Sequence, residues 1–132
     1  MRIPASVAAA LQRKGLLFAL SALLGFLIWL LSAPLAGRQE PWDANNGYYI
    51  GALVVVGVVT GFLGPRHFWL WPIGAYLGQC VYILGNMIRQ NAIGADLFIP
   101  LGMLTLVLAL VPNLIGAAVG AGLRAIVGSR VR

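Results

Sequence analysis

Residues 47–90 read GYYIGALVVVGVVTGFLGPRHFWLWPIGAYLGQCVYILGNMIRQ. Two apolar runs, from about 47 to 63 and from about 68 to 88, are split by Gly64-Pro65-Arg66-His67, and no acidic or basic side chain lies deep in either run. At about 1.5 Å of rise per helical residue, runs of this length approach the roughly 30 Å hydrocarbon core of a bilayer. The stretch therefore predicts two membrane helices joined by a tight turn. The first is short for such a core, which tilt cannot correct; local thinning of the bilayer or burial among other helices can.

Working outward, a further apolar run extends from Gly15 to Ala36, preceded by Arg13 and Lys14. It exceeds the roughly 7–15 apolar residues of a signal peptide, and Pro34-Leu35-Ala36 makes a poor cleavage site, so it reads as an uncleaved first helix. The segment 37–46, GRQEPWDANN, is a polar loop rich in turn-forming residues. Past residue 88 a second polar loop, Arg89 to Asp96, leads into a last apolar run from about 97 to 123, with Pro100 near its start. The expectation is an all-α integral membrane protein. It forms a single domain, 1–132, of four transmembrane helices at about 15–36, 47–63, 68–88 and 97–123.

Composition agrees. Of the 132 residues 61% are apolar and 9% charged, against about 45–50% and about 25% in soluble domains. Nine basic and three acidic side chains cannot cover a soluble globule, and the hydrophobicity excludes intrinsic disorder. The formal net charge is +6. Because the basic residues flank apolar runs, the expected partner is an anionic lipid surface at the cytoplasmic face, and not nucleic acid.

Threading the spans alternately places Arg2, Arg13, Lys14, Arg66, Arg124, Arg130 and Arg132 on one side. Arg38 and Arg89 fall on the other, together with Glu40, Asp43 and Asp96. Basic residues collect on the cytoplasmic side, so both termini are expected there, in an inner membrane crossed several times. Trp69 and Trp71 would form the inner aromatic belt; Trp42, Tyr48 and Tyr49 would form the outer one.

Small residues mark close helix contacts in lipid. Gly57, Gly61 and Gly64 share a stripe on the second span, and Gly74, Gly78 and Gly85 share one on the third. Gly102, Thr105, Ala109, Pro112, Asn113, Gly116 and Gly120 share one on the fourth. Either these stripes pack the bundle, or one of them is an interface with a second copy or another membrane protein. Gly57, Gly61, Gly74, Gly78, Gly116 and Gly120 are the interface candidates. There is also a faint internal echo: the second span ends GVVTGFLGPR and the fourth GAAVGAGLR. Duplication of a two-helix hairpin would produce it, and so would chance in glycine-rich apolar sequence.

The polar residues of the third span, Gln79, Tyr82, Asn86 and Arg89, lie on one face, and Asn113 lies at a depth similar to Gln79. Pro112 removes one helical bond and frees the carbonyl of Leu108. These groups either hold the bundle together or line a polar pathway. Arg66, Trp69 and Trp71 are candidate lipid or partner contacts.

No span carries the buried carboxylate or other charge that ion-coupled carriers usually need. The serines 6, 21, 32 and 129 lie apart from the single His67, no hydrolase or phosphate-loop motif occurs, and Cys80 is alone. No catalytic residue, metal site or cofactor is expected. The function expected is a non-catalytic small membrane subunit or scaffold that packs through glycine-rich helix faces with itself or another membrane protein. The alternative is a small homo-oligomeric channel or carrier for a neutral or anionic solute.

Overall fold

A computed structural model describes residues 4–44, 46–90 and 98–130, and the side chains of 98–101 and 105 are not among the described groups. Arg2, Asp96, Arg132 and the side chain of Thr105 therefore lie outside the described residues. The chain is helical: α1 Ala5–Leu30, α2 Ser32–Ala36, α3 Tyr48–Leu63, α4 Trp71–Arg89, α5 Phe98–Leu108 and α6 Leu110–Arg130, with 3-10 turns at Pro41–Asp43 and Pro65–Leu70.

Local chemistry sets the helix ends. Gly37 follows α2 in the left-handed region (φ 72°), where its amide donates to the carbonyl of Ala33 at 3.1 Å. A residue with a Cβ would be strained there. The Ser32 hydroxyl donates to the carbonyl of Arg38 at 2.7 Å and ties the loop back to the helix it leaves. At the start of α3, Asn46 Oδ1 accepts from the amide of Tyr48 at 3.1 Å, satisfying one of the orphan donors of a helix N-terminus. Between α3 and α4 the turn Pro65–Leu70 departs from helical angles at His67 (φ −132°, ψ 37°).

Two helices are long and apolar enough to cross a membrane, Ala5–Leu30 and Gly102–Arg130. A third span arises if the pair Ser32–Asp43 and Tyr48–Leu63, bent by 98°, counts as one. This is a helical membrane protein. The boundaries differ from the sequence expectation at three places. The first helix begins at Ala5, ten residues early, and breaks at Leu31. The third starts at Trp71, because Pro65–Leu70 forms a 3-10 turn. The last is interrupted at Ala109, whose amide bonds the carbonyl of Leu106 at 3.0 Å, and runs on to Arg130. That break lies one turn before Pro112, where the missing amide and the ring disfavour a continuous helix.

The outer faces are apolar. Leu16, Ile50, Val55, Val81, Ile88, Leu104, Leu108 and Ile115 are all exposed, as they are where lipid is the solvent. Contact inside the molecule is concentrated in two helix pairs, α3 on α6 and α1 on α4, with smaller contacts of α1 on α3 and α4 on α6. Both pairs are parallel and backbone-tight. On α1 and α4, a Cβ added at Gly25 would collide with the carbonyl oxygen of Ala75 and lie 2.7 Å from its carbon. One at Gly78 would strike the carbonyl of Ala22 in the same way. On α3 and α6, a Cβ at Gly57 would meet the carbonyl oxygen of Asn113 and lie 2.8 Å from the amide nitrogen of Ala117, and one at Gly61 would lie 2.7 Å from the carbonyl carbon of Ala117. Cβ atoms at Gly116 and Gly120 would meet the carbonyls of Val54 and Val58. Gly74 faces Phe18 and Ser21, and the Ser21 hydroxyl donates to the carbonyl of Trp71.

Candidate functional site

The six interface glycines all face another helix of the same chain. Their missing side chains let backbones approach to van der Waals distance, which is the main attraction left between helices in lipid. Gly15, Gly51, Gly85 and Gly122, by contrast, have open space where a Cβ would stand.

The polar centre of the molecule is Gln79, on α4 one residue beyond Gly78 and 1% exposed. Its Oε1 accepts from Trp29 Nε1 at 3.1 Å and from the Tyr49 hydroxyl at 2.6 Å, and its Nε2 donates to the carbonyl of Ala75 at 3.4 Å. One amide oxygen thus joins α1, α3 and α4, with both lone pairs occupied. Aromatic rings enclose this clasp. Trp29 packs edge-on to Trp42, centroids 4.7 Å apart, and lies 5.8 Å from Tyr82. Trp42 also meets Tyr49 at 6.5 Å, and Phe26 meets Tyr82 at 5.3 Å. Trp42 Nε1 donates to Glu40 Oε2 at 2.7 Å, and the Tyr48 hydroxyl donates to the carbonyl of Ile28 at 2.9 Å. Edge-to-face aromatic pairs add about 0.5–1.5 kcal/mol each beyond their burial, so the loop carrying Trp42 is anchored on the helices.

Asn113 differs. It is 1% exposed on the α6 face that packs on α3, and neither Oδ1 nor Nδ2 has a hydrogen-bond partner among the described residues. An unpaired buried amide costs about 1–3 kcal/mol. The structure does not join it to Gln79, whose acceptor is taken by Trp29 and Tyr49. The polar face expected along α4 also divides. Gln79 is sealed, Tyr82 is half-buried among the rings, and Asn86 meets Arg89 Nη2 at 3.1 Å at the exposed end of the helix.

At the other end of α4, one expectation is corrected. Trp71 is 1% exposed and donates from Nε1 to the carbonyl of Gly64 at 2.8 Å, its ring filling the space above that glycine. It closes the α3–α4 turn from within and is not a lipid contact. Trp69, 54% exposed, and the exposed Arg66 keep that possibility. Close by, the Arg124 guanidinium sits 5.3 Å from the centre of the Phe62 ring.

Sequence reasoning missed Trp29 and Tyr49 as the partners of Gln79, and Ser21 as a contact residue. The available signal was Ser21-x-x-x-Gly25, a small-x-x-x-small pair in the first span. Comparison with known protein families, with curated proteins and with solved structures finds no match.

Proposed function

We propose that this protein is a non-catalytic membrane subunit or scaffold: a bundle of four spans in an inner membrane, with both termini cytoplasmic and its outward faces offered to another membrane protein or to a second copy. The observation that carries this reading is the closure of the interior. The six interface glycines meet other helices of the same chain, and the central amide of Gln79 holds three helices at once. Such a core favours one rigid arrangement, as a framework needs. Partner contacts then fall to the faces that remain free, where Gly51, Gly85 and Gly122 leave room for close approach. The basic residues 13, 14, 66, 124 and 130 support the orientation and an anionic-lipid contact at the cytoplasmic surface, with Arg66 and Trp69 at the headgroups.

One observation favours the second reading, a small channel or carrier for a neutral or anionic solute: Asn113 holds in the core, beside a helix break, a donor and an acceptor without partners among the described residues. Native mass spectrometry of the protein extracted gently from its own membrane tests the two. A stoichiometric second polypeptide supports the subunit reading. A closed self-oligomer with a solute flux abolished by Asn113→Val overturns it in favour of the pathway.

A further inference from the structure

The two main helix contacts are reciprocal, residue by residue. Lay residues 18–29, FALSALLGFLIW, over 71–82, WPIGAYLGQCVY. Gly25 falls on Gly78 and Ala22 on Ala75. In the structure Gly25 faces the carbonyl of Ala75, and Gly78 faces the carbonyl of Ala22. Ser21 falls on Gly74 and Phe18 on Trp71; Ser21 bonds the carbonyl of Trp71, and Gly74 faces that of Phe18. The aromatic layer obeys the same rule. Phe26 falls on Gln79 and Trp29 on Tyr82, and the observed neighbours are Trp29 with Gln79, Phe26 with Tyr82, and Trp29 with Tyr82.

The second pair repeats the relation. Lay 54–62, VVVGVVTGF, over 113–121, NLIGAAVGA. Gly57 falls on Gly116 and Val54 on Asn113; Gly57 faces the carbonyl of Asn113, and Gly116 that of Val54. Gly61 falls on Gly120 and Val58 on Ala117; Gly61 faces Ala117, and Gly120 faces Val58. A contact in which residue i meets j while the equivalent of j meets the equivalent of i is isologous, the kind made by two identical subunits about a two-fold axis. A single glycine-mediated parallel pair could be isologous by itself. Here two separate pairs map the first hairpin, α1 and α3, onto the second, α4 and α6, in the same chain order.

We infer that the chain is two copies of one helical hairpin in tandem, and that each copy is the other's partner. The surface formed by Ser21, Ala22 and Gly25 of α1 with Gly57 and Gly61 of α3 is built to receive a copy of itself, which the second half of the chain supplies. The copies differ where chemistry was introduced on one side only: Gln79 stands opposite Phe26, and Asn113 opposite Val54. This inference goes beyond the scaffold reading and stands whichever partner or solute the protein serves.

The test moves a group across the local axis. Ser21→Gly removes the hydroxyl that bonds Trp71, and Gly74→Ser brings a Cβ within about 3.0 Å of the Phe18 carbonyl and 3.1 Å of the Ser21 Cβ. Each single variant is expected to unfold at a lower denaturant midpoint in mixed micelles. In the double variant the glycine at 21 makes room, and the new hydroxyl at 74 donates to the carbonyl of Phe18, the equivalent of Trp71. The midpoint then returns to that of the parent chain, also if Gly74→Ser alone does not fold. A double variant that loses as much as the two singles together, or more, overturns the inference.

Discussion

Removing the amide at Gln79 should loosen three helices at once. Gln79→Leu keeps a side chain of similar size but deletes the acceptor that Trp29 Nε1 reaches at 3.1 Å and the Tyr49 hydroxyl at 2.6 Å. Side-chain hydrogen bonds within membrane bundles average about 0.6 kcal/mol and reach about 1.7. Two such bonds, with the shorter one to Tyr49 at the upper end, give a loss of about 1–3 kcal/mol. That sum alone does not prove the clasp, because a substitution in any tight core can cost as much. Coupling decides it. With Gln79 in place, Tyr49→Phe removes a bond and is expected to cost about 1 kcal/mol. In the Gln79→Leu background the hydroxyl is already orphaned, so Tyr49→Phe is expected to be neutral or to recover part of the loss. Reversible unfolding in mixed micelles, followed by tryptophan fluorescence, reads all four corners of the cycle, with Trp29 inside the clasp as a local reporter. Equal cost of Tyr49→Phe in both backgrounds would refute the reasoning.

The remaining predictions concern other parts of the molecule. Gly61→Val drives side-chain atoms into the backbone of α6 and is expected to cost at least the 1–3 kcal/mol or so typical of overpacking, while Gly122→Ala, with open space around it, leaves the same unfolding curve unchanged. Asn113→Val discards a buried amide without partners among the described residues and is expected to stabilise the fold by about 1 kcal/mol; a clear destabilisation would mean that the amide is hydrogen-bonded in the membrane. Trp71→Phe deletes the bond to the Gly64 carbonyl and should lower the unfolding midpoint, whereas Trp69→Phe, on the surface, should not. A reporter that is active only in the cytoplasm is expected to work at either terminus, and silence at one of them would sink the proposed orientation.

Composition and periodicity by themselves determined the class of this protein. A chain this apolar, with its few charges gathered between apolar runs, has helices as its way of satisfying backbone groups in lipid. Positions 47–63 were legible as a helix almost to the residue, because Gly47 and the Gly64-Pro65 break bracket them. The small-residue stripes announced that backbones would touch. They could not say which, because a glycine shows where a neighbour can come close but carries nothing that identifies the neighbour. The Gly57–Gly61 stripe and the echo at Gly116–Gly120 were both visible, yet only their register in space shows that each faces the other. The matching relation between α1 and α4 rests on Ser21 and Ala22 as much as on Gly25, and it was hidden among leucines. The polar residues left packing and pathway both open for a similar reason. Gln79 and Asn113 share a depth in the sequence, but hydrogen bonding depends on separations of a few ångströms, and the folded chain brings Trp29 and Tyr49 to Gln79 first. Trp71 looked like a surface anchor by its place beside Arg66; the 3-10 turn at Pro65–Leu70 rotates it inward under Gly64. The sequence determined that these helices would form and where backbones could meet, because those properties are local. Tertiary structure decided which helix met which and which polar group found a partner, because those depend on contacts between residues far apart in the chain.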